Sequence, residues 1–161
     1  MKRRGPPARG FTFIELMLTL ALLAVMASIA MPMVQMAHQR RQEQALAEAL
    51  REVRQALDAY RRAVDQGRIT LRTGESGFPP SLQVLVEGVV DERSPTRQNL
   101  YFLRRLPRDP MAVDAEQPPE ESWGKRSHDS PPDDPREGKD VFDIYSRAQG
   151  RGLNGVPYRQ W

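Results

Sequence analysis

The sequence predicts an α+β fold, in which one long N-terminal helix precedes a smaller region of short strands and long loops. Residues 11–65 contain no Gly and a single Pro, which favours one extended helix. Most of the 14 Pro lie in the remaining residues, and 28% of the whole chain is charged. This composition indicates a loop-rich, well-solvated outer portion around a modest core.

The first half of the predicted helix is apolar enough to cross a membrane. Residues 11–36 hold one formal charge, which is Glu15. A bilayer core about 30 Å thick needs about 20 apolar residues in helical form, and this segment is long enough. We therefore predict a transmembrane helix over residues 11–36. Pro32 is expected to kink it, because proline removes a backbone hydrogen bond and clashes with the preceding turn.

A short basic segment precedes the apolar one. Residues 1–10 carry four cations and no acid. Ordinary secretory signals are cleaved after a shorter apolar region, where Ala27–Ala30 would be the matching stretch. A cut after Gly10 would instead remove the cations and keep the helix, so residues 1–10 are predicted to be a cleaved leader. Lys and Arg flanks tend to stay cytoplasmic, and the cations closest to the apolar segment favour a cytoplasmic N-terminus, although cations on the far flank bring the simple count close to a tie.

The second half of the predicted helix, residues 37–65, is amphipathic. Its apolar residues are separated by 4, 3, 4, 3 and 4 positions, which places them on one face of an α-helix. They are Leu46, Leu50, Val53, Leu57, Tyr60 and Val64. We expect this stripe to pack against a domain, and Gly67 to end the helix.

The rest of the chain is predicted to hold short elements. Residues 66–99 are expected to be loops around one short helix, and residues 100–161 short strands and loops. The short helix is predicted from Leu82 to about Glu87, with Ser81 as its N-cap and Gly88 as its stop. The strand candidates are Leu100–Leu103, a segment that begins at Trp123, and Val141–Tyr145.

Charge and composition exclude several function classes. The isoelectric point of 9.6 would suit a nucleic-acid-binding protein, but four of the 24 Lys and Arg residues lie in the leader, and the other 20 face 21 Asp and Glu. No nucleic-acid partner is therefore predicted. We expect Arg104, Arg105 and Arg108 to form a solvated edge. The chain has no Cys, which excludes disulfides and thiolate chemistry, and no catalytic set is suggested, so an enzyme is not predicted.

Glu15 needs an explanation, because a carboxylate inside a membrane helix costs about 2.5–3.5 kcal/mol on insertion scales. It could reach the lipid headgroups from one turn inside the helix. It could also pair with the α-ammonium that cleavage after Gly10 would create on Phe11, either in its own chain or in a neighbouring subunit. We favour the pair between subunits, since it would tie cleavage to the register of assembly.

Acidic loop residues raise the possibility of a calcium site. Calcium prefers oxygen ligands, and Asp140 and Asp143 are the main candidates, but EF-hand spacing is absent. The other acidic residues of this region are Asp129, Asp133 and Asp134. Solvated loop acids are the simpler interpretation, and no cofactor is otherwise predicted.

The motifs resemble those of a known family. Gly10–Glu15 followed by the apolar helix resembles the class III leader of type IV pilins and of the pseudopilins of type II secretion. Three further segments resemble the major, G-type pseudopilin of that system. They are Tyr101–Pro110, Ser122–Gly124 and Phe142–Ser146.

This resemblance implies processing, location and partners. A prepilin peptidase would cut after Gly10 and methylate the amine of Phe11. Residues 37–161 would form a periplasmic pilin-like domain, with a small antiparallel sheet packed on the long helix, anchored by a single pass in the inner membrane. Copies would stack into a pseudopilus that drives folded proteins across the outer membrane, together with minor pseudopilins and an inner-membrane assembly platform.

The sequence departs from the family at its tail. The G-type family commonly binds calcium through acids after the Asp-Ile-Tyr-Ser segment, whereas residues 147–161 contain no Asp or Glu. We expect turn chemistry at Gly150, Gly152, Asn154 and Pro157, and packing of Tyr158 and Trp161, to hold this tail instead. The alternatives are a type IV pilin or minor pilin, and a membrane-anchored binding domain that does not polymerise.

Overall fold

The computed structural model describes residues 10–114 and 116–161. It contains three α-helices and four β-strands within those residues, and it confirms the predicted α+β class with a pilin-like long helix. The helices are α1 (Phe13–Asp65), α2 (Val84–Glu87) and α3 (Pro119–Ser122). The strands are β1 (Val89–Val90), β2 (Asn99–Leu100), β3 (Trp123–Arg126) and β4 (Asp143–Ser146), and a 3-10 helix spans Tyr158–Gln160.

The chain divides into two compact units, one up to Gln39 and the other over Arg40–Trp161. Helix α1 contributes to both. In the first unit, residues 11–28 of the chain are exposed. The helix continues across position 32, so the kink at Pro32 stays a prediction.

The predicted apolar stripe of α1 is confirmed in the second unit. All six of its residues are buried, from Leu46 at 0% exposure to Val64 at 9%. Gly67 ends the helix as predicted, with φ of +67°. The N–H of Gly67 donates to the carbonyl of Val64 and that of Arg68 to the carbonyl of Ala63, which is the Schellman pattern of a glycine C-terminus.

The short helix α2 begins later than predicted. Gln83 precedes it in a helical conformation and makes no side-chain capping bond, so the prediction of Ser81 as N-cap is wrong. The chain enters the helix through a tight turn instead, in which the N–H of Leu85 donates to the carbonyl of Leu82. Gly88 stops the helix as predicted, with φ of +82°.

The strands form two separate antiparallel pairs, β1 with β2 and β3 with β4. The strand predicted over Leu100–Leu103 is wrong beyond Leu100, because the N–H groups of Phe102 and Leu103 both donate to the carbonyl of Leu85. Strand β1 lies in the segment predicted to be a loop. In the second pair, Trp123 opposes Ser146, and Arg126 opposes Asp143.

The strand predicted at Trp123 is confirmed, but β4 starts at Asp143, two residues after the predicted start. Val141 is drawn out of the pair because its N–H donates to the carbonyl of Pro79. The core of the second unit lies between α1, α2 and the β3–β4 pair. Its largest fully buried side chains include Trp123, Leu46, Leu57, Leu82, Leu85 and Ile144.

Candidate membrane and assembly segment

The segment that contains the predicted cleavage site leads directly into α1. Gly10 and Phe11 precede the helix and are exposed, and α1 starts at Phe13. The leader residues before Gly10 lie outside the described residues. Cleavage after Gly10, methylation of Phe11 and pairing of Phe11 with Glu15 therefore stay predictions.

Thr12 caps the helix, and this cap was not predicted. Its Oγ1 accepts the N–H of Glu15 at 3.3 Å, and its carbonyl accepts the N–H of Leu16 at 3.1 Å. Glu15 thus sits in the first turn, where a carboxylate is stabilised by the positive end of the helix dipole. The signal was present in the sequence, since Thr12-Phe-Ile-Glu15 has the Thr-x-x-Glu spacing of a capping box.

The apolar half of α1 is of a length and composition that can cross a membrane. Its residues 13–28 are all exposed, and Glu15 is their one charged side chain. Its hydroxyl groups are satisfied within the helix, because Thr19 donates to the carbonyl of Leu16 and Ser28 to that of Ala24, both at 2.9 Å. Such bonds let Ser and Thr lie in lipid without an unpaired donor.

One comparison with known proteins bears on this segment. The family model for the prokaryotic N-terminal methylation motif matches residues 6–31. The chain carries a prepilin-type signal. This signal is that of type IV pilins and pseudopilins, and it implies processing by a prepilin peptidase and pilus-type assembly. No match to the chain was found among curated proteins or among solved structures.

The other three motif segments of the resemblance meet around one buried residue, Asp109. Asp109, which is 1% exposed, accepts a hydrogen bond from the hydroxyl of Ser146 at 2.6 Å and from the N–H of Met111 at 2.8 Å. The N–H of Asp109 donates to the hydroxyl of Ser122 at 3.1 Å. One step further, the indole N–H of Trp123 donates to the carbonyl of Pro107 at 2.9 Å. The Arg-Asp-Pro, Trp-Gly and Asp-Ile-Tyr-Ser segments are therefore one hydrogen-bonded cluster.

The calcium candidate Asp143 is held by cations and main chain. Its Oδ1 accepts hydrogen bonds from Nε of Arg54 and from the backbone N–H of Ile144, both at 2.8 Å. Its Oδ2 lies 3.7 Å from Nη2 of Arg126.

Asp140, the other candidate, accepts bonds from the hydroxyl of Ser127 at 2.6 Å and the N–H of His128 at 3.0 Å. Burial raises the pKa of Asp140, but these hydrogen bonds, together with one from Ser76, hold the pKa below its ordinary value. Within the described residues, no three His, Asp or Glu side chains form a group that could hold a metal. The possibility of calcium at Asp140 and Asp143, for which solvated loop acids are the simpler interpretation, stays untested.

The acid-free tail is attached to α1, and the residues that attach it were not predicted. Glu43, which is 8% exposed, accepts the N–H of Leu153 at 2.9 Å and the hydroxyl of Tyr158 at 3.0 Å. Arg54 donates to the main-chain oxygens of Ile144 at 3.1 Å and Trp161 at 2.7 Å. Glu43 could have been noticed in the sequence, because it extends the buried stripe by one step of three residues before Leu46.

The tail itself has the turns and packing that were expected. Asn154 accepts the N–H of Val156 at 3.0 Å, and the rings of Tyr158 and Trp161 lie 5.5 Å apart. Gly152 lies against the indole of Trp161, so any side chain at this position would overlap it.

Proposed function

We propose that the chain is a structural subunit of a periplasmic pseudopilus, which drives type II secretion of folded proteins across the outer membrane. The observation that carries this proposal is the methylation motif over residues 6–31, which overlaps the apolar first half of α1, where residues 13–28 are exposed. In this function, the prepilin peptidase cuts after Gly10 and methylates Phe11. The chain acts by assembly and is not an enzyme.

The location follows from the same segment. The cations of the leader keep the N-terminus in the cytoplasm, and α1 anchors the chain by a single pass in the inner membrane. The second unit then lies in the periplasm. There the chain assembles with copies of itself and with minor pseudopilins, on an inner-membrane assembly platform.

The cluster around Asp109 supports a G-type pseudopilin within the wider class. Segments far apart in sequence supply Asp109, Trp123 and Ser146, and each belongs to a motif of the resemblance. The lack of Cys also fits a pseudopilin better than a type IV pilin with a C-terminal disulfide loop.

Glu15 has a defined role in this proposal. In the mature chain, its carboxylate pairs with the N-methylated ammonium of Phe11 in the neighbouring subunit, since methylation of an amine keeps its charge. The pair offsets the cost of placing each charge among apolar helices. It also fixes the axial register at which one helix can join the next.

The mass and N-terminal sequence of the mature protein test the processing step. We expect loss of residues 1–10 and one added methyl group on Phe11. A matched variant with a bulky side chain at the cleavage position, Gly10→Leu, should keep its leader. An intact leader on the unaltered chain, expressed with a prepilin peptidase, would contradict the proposal.

Crosslinking in membranes separates a filament subunit from an anchored monomer. We expect Glu15→Ala to abolish or misregister the crosslinked oligomers, whereas Glu48→Ala, an exposed carboxylate in the second half of the helix, should preserve them. Equal oligomers from Glu15→Ala and the unaltered chain would sink the pairing role. Loss of protein secretion on deletion of the gene, with surface pili unaffected, would distinguish a pseudopilin from a type IV pilin.

A further inference from the structure

The second unit is electrically balanced but its charges are segregated. The chain has 24 Lys and Arg, of which four lie in the leader, and 21 Asp and Glu, of which one is Glu15. The other 20 cations and 20 acids all lie in residues 40–161. Residues 104–108 nevertheless contain three Arg and no acid, while residues 114–121 contain four acids and no cation. A neutral domain with separate patches of both signs is suited to contact with a second copy of itself.

The basic patch borders a groove on the face of α1. The groove has a volume of about 640 Å³ and lies between α1 and the segment 102–105. Its floor is apolar, and its exposed rim carries two guanidinium groups, Arg104 and Arg105, and one carboxylate, Glu52. We call it the basic groove, and its lining residues are Glu52, Gln55, Ala56, Ala59, Phe102, Leu103, Arg104 and Arg105.

The two guanidinium groups at its rim lack partners in the part of the chain that the structure describes. Arg104 and Arg105 are exposed, and neither forms an ion pair or a side-chain hydrogen bond there. By contrast, Arg54, Arg68 and Arg126 all lie against carboxylates of the same domain. Adjacent unpaired guanidinium groups can each take a carboxylate by two parallel hydrogen bonds.

The complementary patch is the acidic segment, which we define as Asp114 together with residues 116–121. Asp114, Glu116 and Glu121 are exposed, and none of their side chains forms an ion pair within the described residues. The remaining acid, Glu120, lies 3.6 Å from Lys125. Val113, whose side chain is 100% exposed, precedes the segment and offers an apolar group to the groove floor.

Local hydrogen bonds connect the described residues of the acidic segment. Asp114 accepts the N–H of Glu116 at 2.9 Å, and the amide of Gln117 donates to the carbonyl of Glu121 at 3.0 Å. The guanidinium of Arg108 donates to the carbonyl of Asp114.

We propose that the acidic segment of one copy docks in the basic groove of the next, with Glu116 and Glu121 facing Arg104 and Arg105. This inference rests on the proposed function, since it assigns a contact within the filament. The groove and the acidic segment are formed by different residues, so each copy offers one of each, and a head-to-tail contact can use the groove of one copy and the segment of the next. A contact of that kind leaves both ends of a chain of copies open, as growth of a filament requires.

Charge reversal tests the contact in the full chain, expressed with a prepilin peptidase and crosslinked in membranes. Either R104E with R105E, or E116K with E121K, should lower the yield of oligomers about tenfold, as loss of close charge pairs across an interface does. All four changes in one chain should restore the yield, because the two patches then exchange signs. Matched controls are R72E with R97E, two exposed arginines outside the groove that form no ion pair within residues 10–114 and 116–161.

Engineered cysteines locate the contact directly, because the chain has none of its own. We would coexpress two chains of different size, one with R105C and the other with E116C. The head-to-tail contact predicts disulfide-linked heterodimers, with few homodimers of either chain. Homodimers in equal amount, or no heterodimers while oligomers persist, would overturn the assigned contact.

The outcomes separate this inference from the proposed function. If the unaltered chain forms no oligomers, the filament proposal fails and the contact fails with it. If oligomers form but survive both charge reversals, the filament proposal stands and the contact is wrong. If the reversals abolish oligomers but the fourfold variant does not restore them, the arginines contact something other than the acidic segment, which also contradicts the assignment.

Discussion

The two halves of α1 share one backbone conformation but have opposite relations to the rest of the protein. Residues 11–28 are exposed, although nearly all are apolar. In residues 46–64, the apolar side chains form one stripe and are buried, while polar residues occupy the other face. The apolar side chains of residues 11–28 have no partners in the described part of the chain, whereas those of the second half pack in its core. The exposed apolar side chains of residues 11–28 therefore indicate a surface that contacts something other than the rest of this chain.

Two matched leucine substitutions, one in each half of α1, should show the largest difference in the free energy of unfolding. Leu57→Ala removes a side chain with 1% exposure from the core and should lower the free energy of unfolding by about 2–5 kcal/mol. Leu20→Ala in the exposed half should leave that free energy nearly unchanged. Denaturant unfolding of the full chain in detergent, followed by the fluorescence of Trp123 and Trp161, measures both. Equal effects would mean that the exposed half also packs on the domain.

Substitution in the buried cluster at Asp109 should lower the free energy of unfolding by an amount similar to that of Leu57→Ala. Asp109→Ala leaves the hydroxyl of Ser146 and the N–H of Met111 without an acceptor, at a cost of about 1–3 kcal/mol for each. Asp129→Ala is the exposed control and should stay within about 0.5 kcal/mol of the unaltered chain. A comparable loss from both variants would show that the cluster is not a stabilising unit.

Glu43 should affect the tail more than the whole fold. Glu43→Ala removes the acceptor of Leu153 and Tyr158, and we expect a local loss of about 1–3 kcal/mol. Hydrogen exchange of the amides in residues 150–161 should then speed up, while those of β3 stay protected. Glu43→Gln keeps an oxygen acceptor and should retain most of the protection.

Acid should produce the smallest of these effects. Hydrogen bonds from Arg68 hold the pKa of Asp91 below its ordinary value of 3.8, although burial opposes this. A lowered folded-state pKa stabilises the fold above the unfolded value, and that stability is lost as pH falls through the folded-state pKa. Unfolding midpoints measured between pH 6 and about pH 2 should therefore fall less steeply for Asp91→Asn than for the unaltered chain. Identical slopes would exclude a role for this ion pair.

The sequence predicted the elements whose causes are local. The spacing of six apolar residues and the break at Gly67 specify the buried half of α1, because both depend on neighbours within a few positions. The strand at Leu100–Leu103 was placed wrongly because the partner of Phe102 and Leu103 is the carbonyl of Leu85, which local propensity cannot identify. The residue types of this segment favour a strand, but hydrogen bonds to a distant residue determine its backbone conformation.

The polar anchors were missed for the same reason. Glu43 and Tyr158 are 115 positions apart, and Asp109 and Ser146 are 37 apart. A single sequence contains no signal that pairs residues over such separations. The methylation motif could be predicted because it is contiguous, and the cap at Thr12 could have been, since it needs only four consecutive residues.

That cap at Thr12 has a consequence for the new terminus that cleavage would create. A cut after Gly10 would place the ammonium of Phe11 just before the first turn of α1, at the positive end of the helix dipole. Each newly cleaved chain would then have two positive charges close together, the ammonium of Phe11 and the positive end of the helix dipole. Glu15 would be the nearest negative charge in the first turn of the same chain. A neighbour's carboxylate would relieve that repulsion further. Processing would thus create a terminus that is electrostatically poised to accept another subunit.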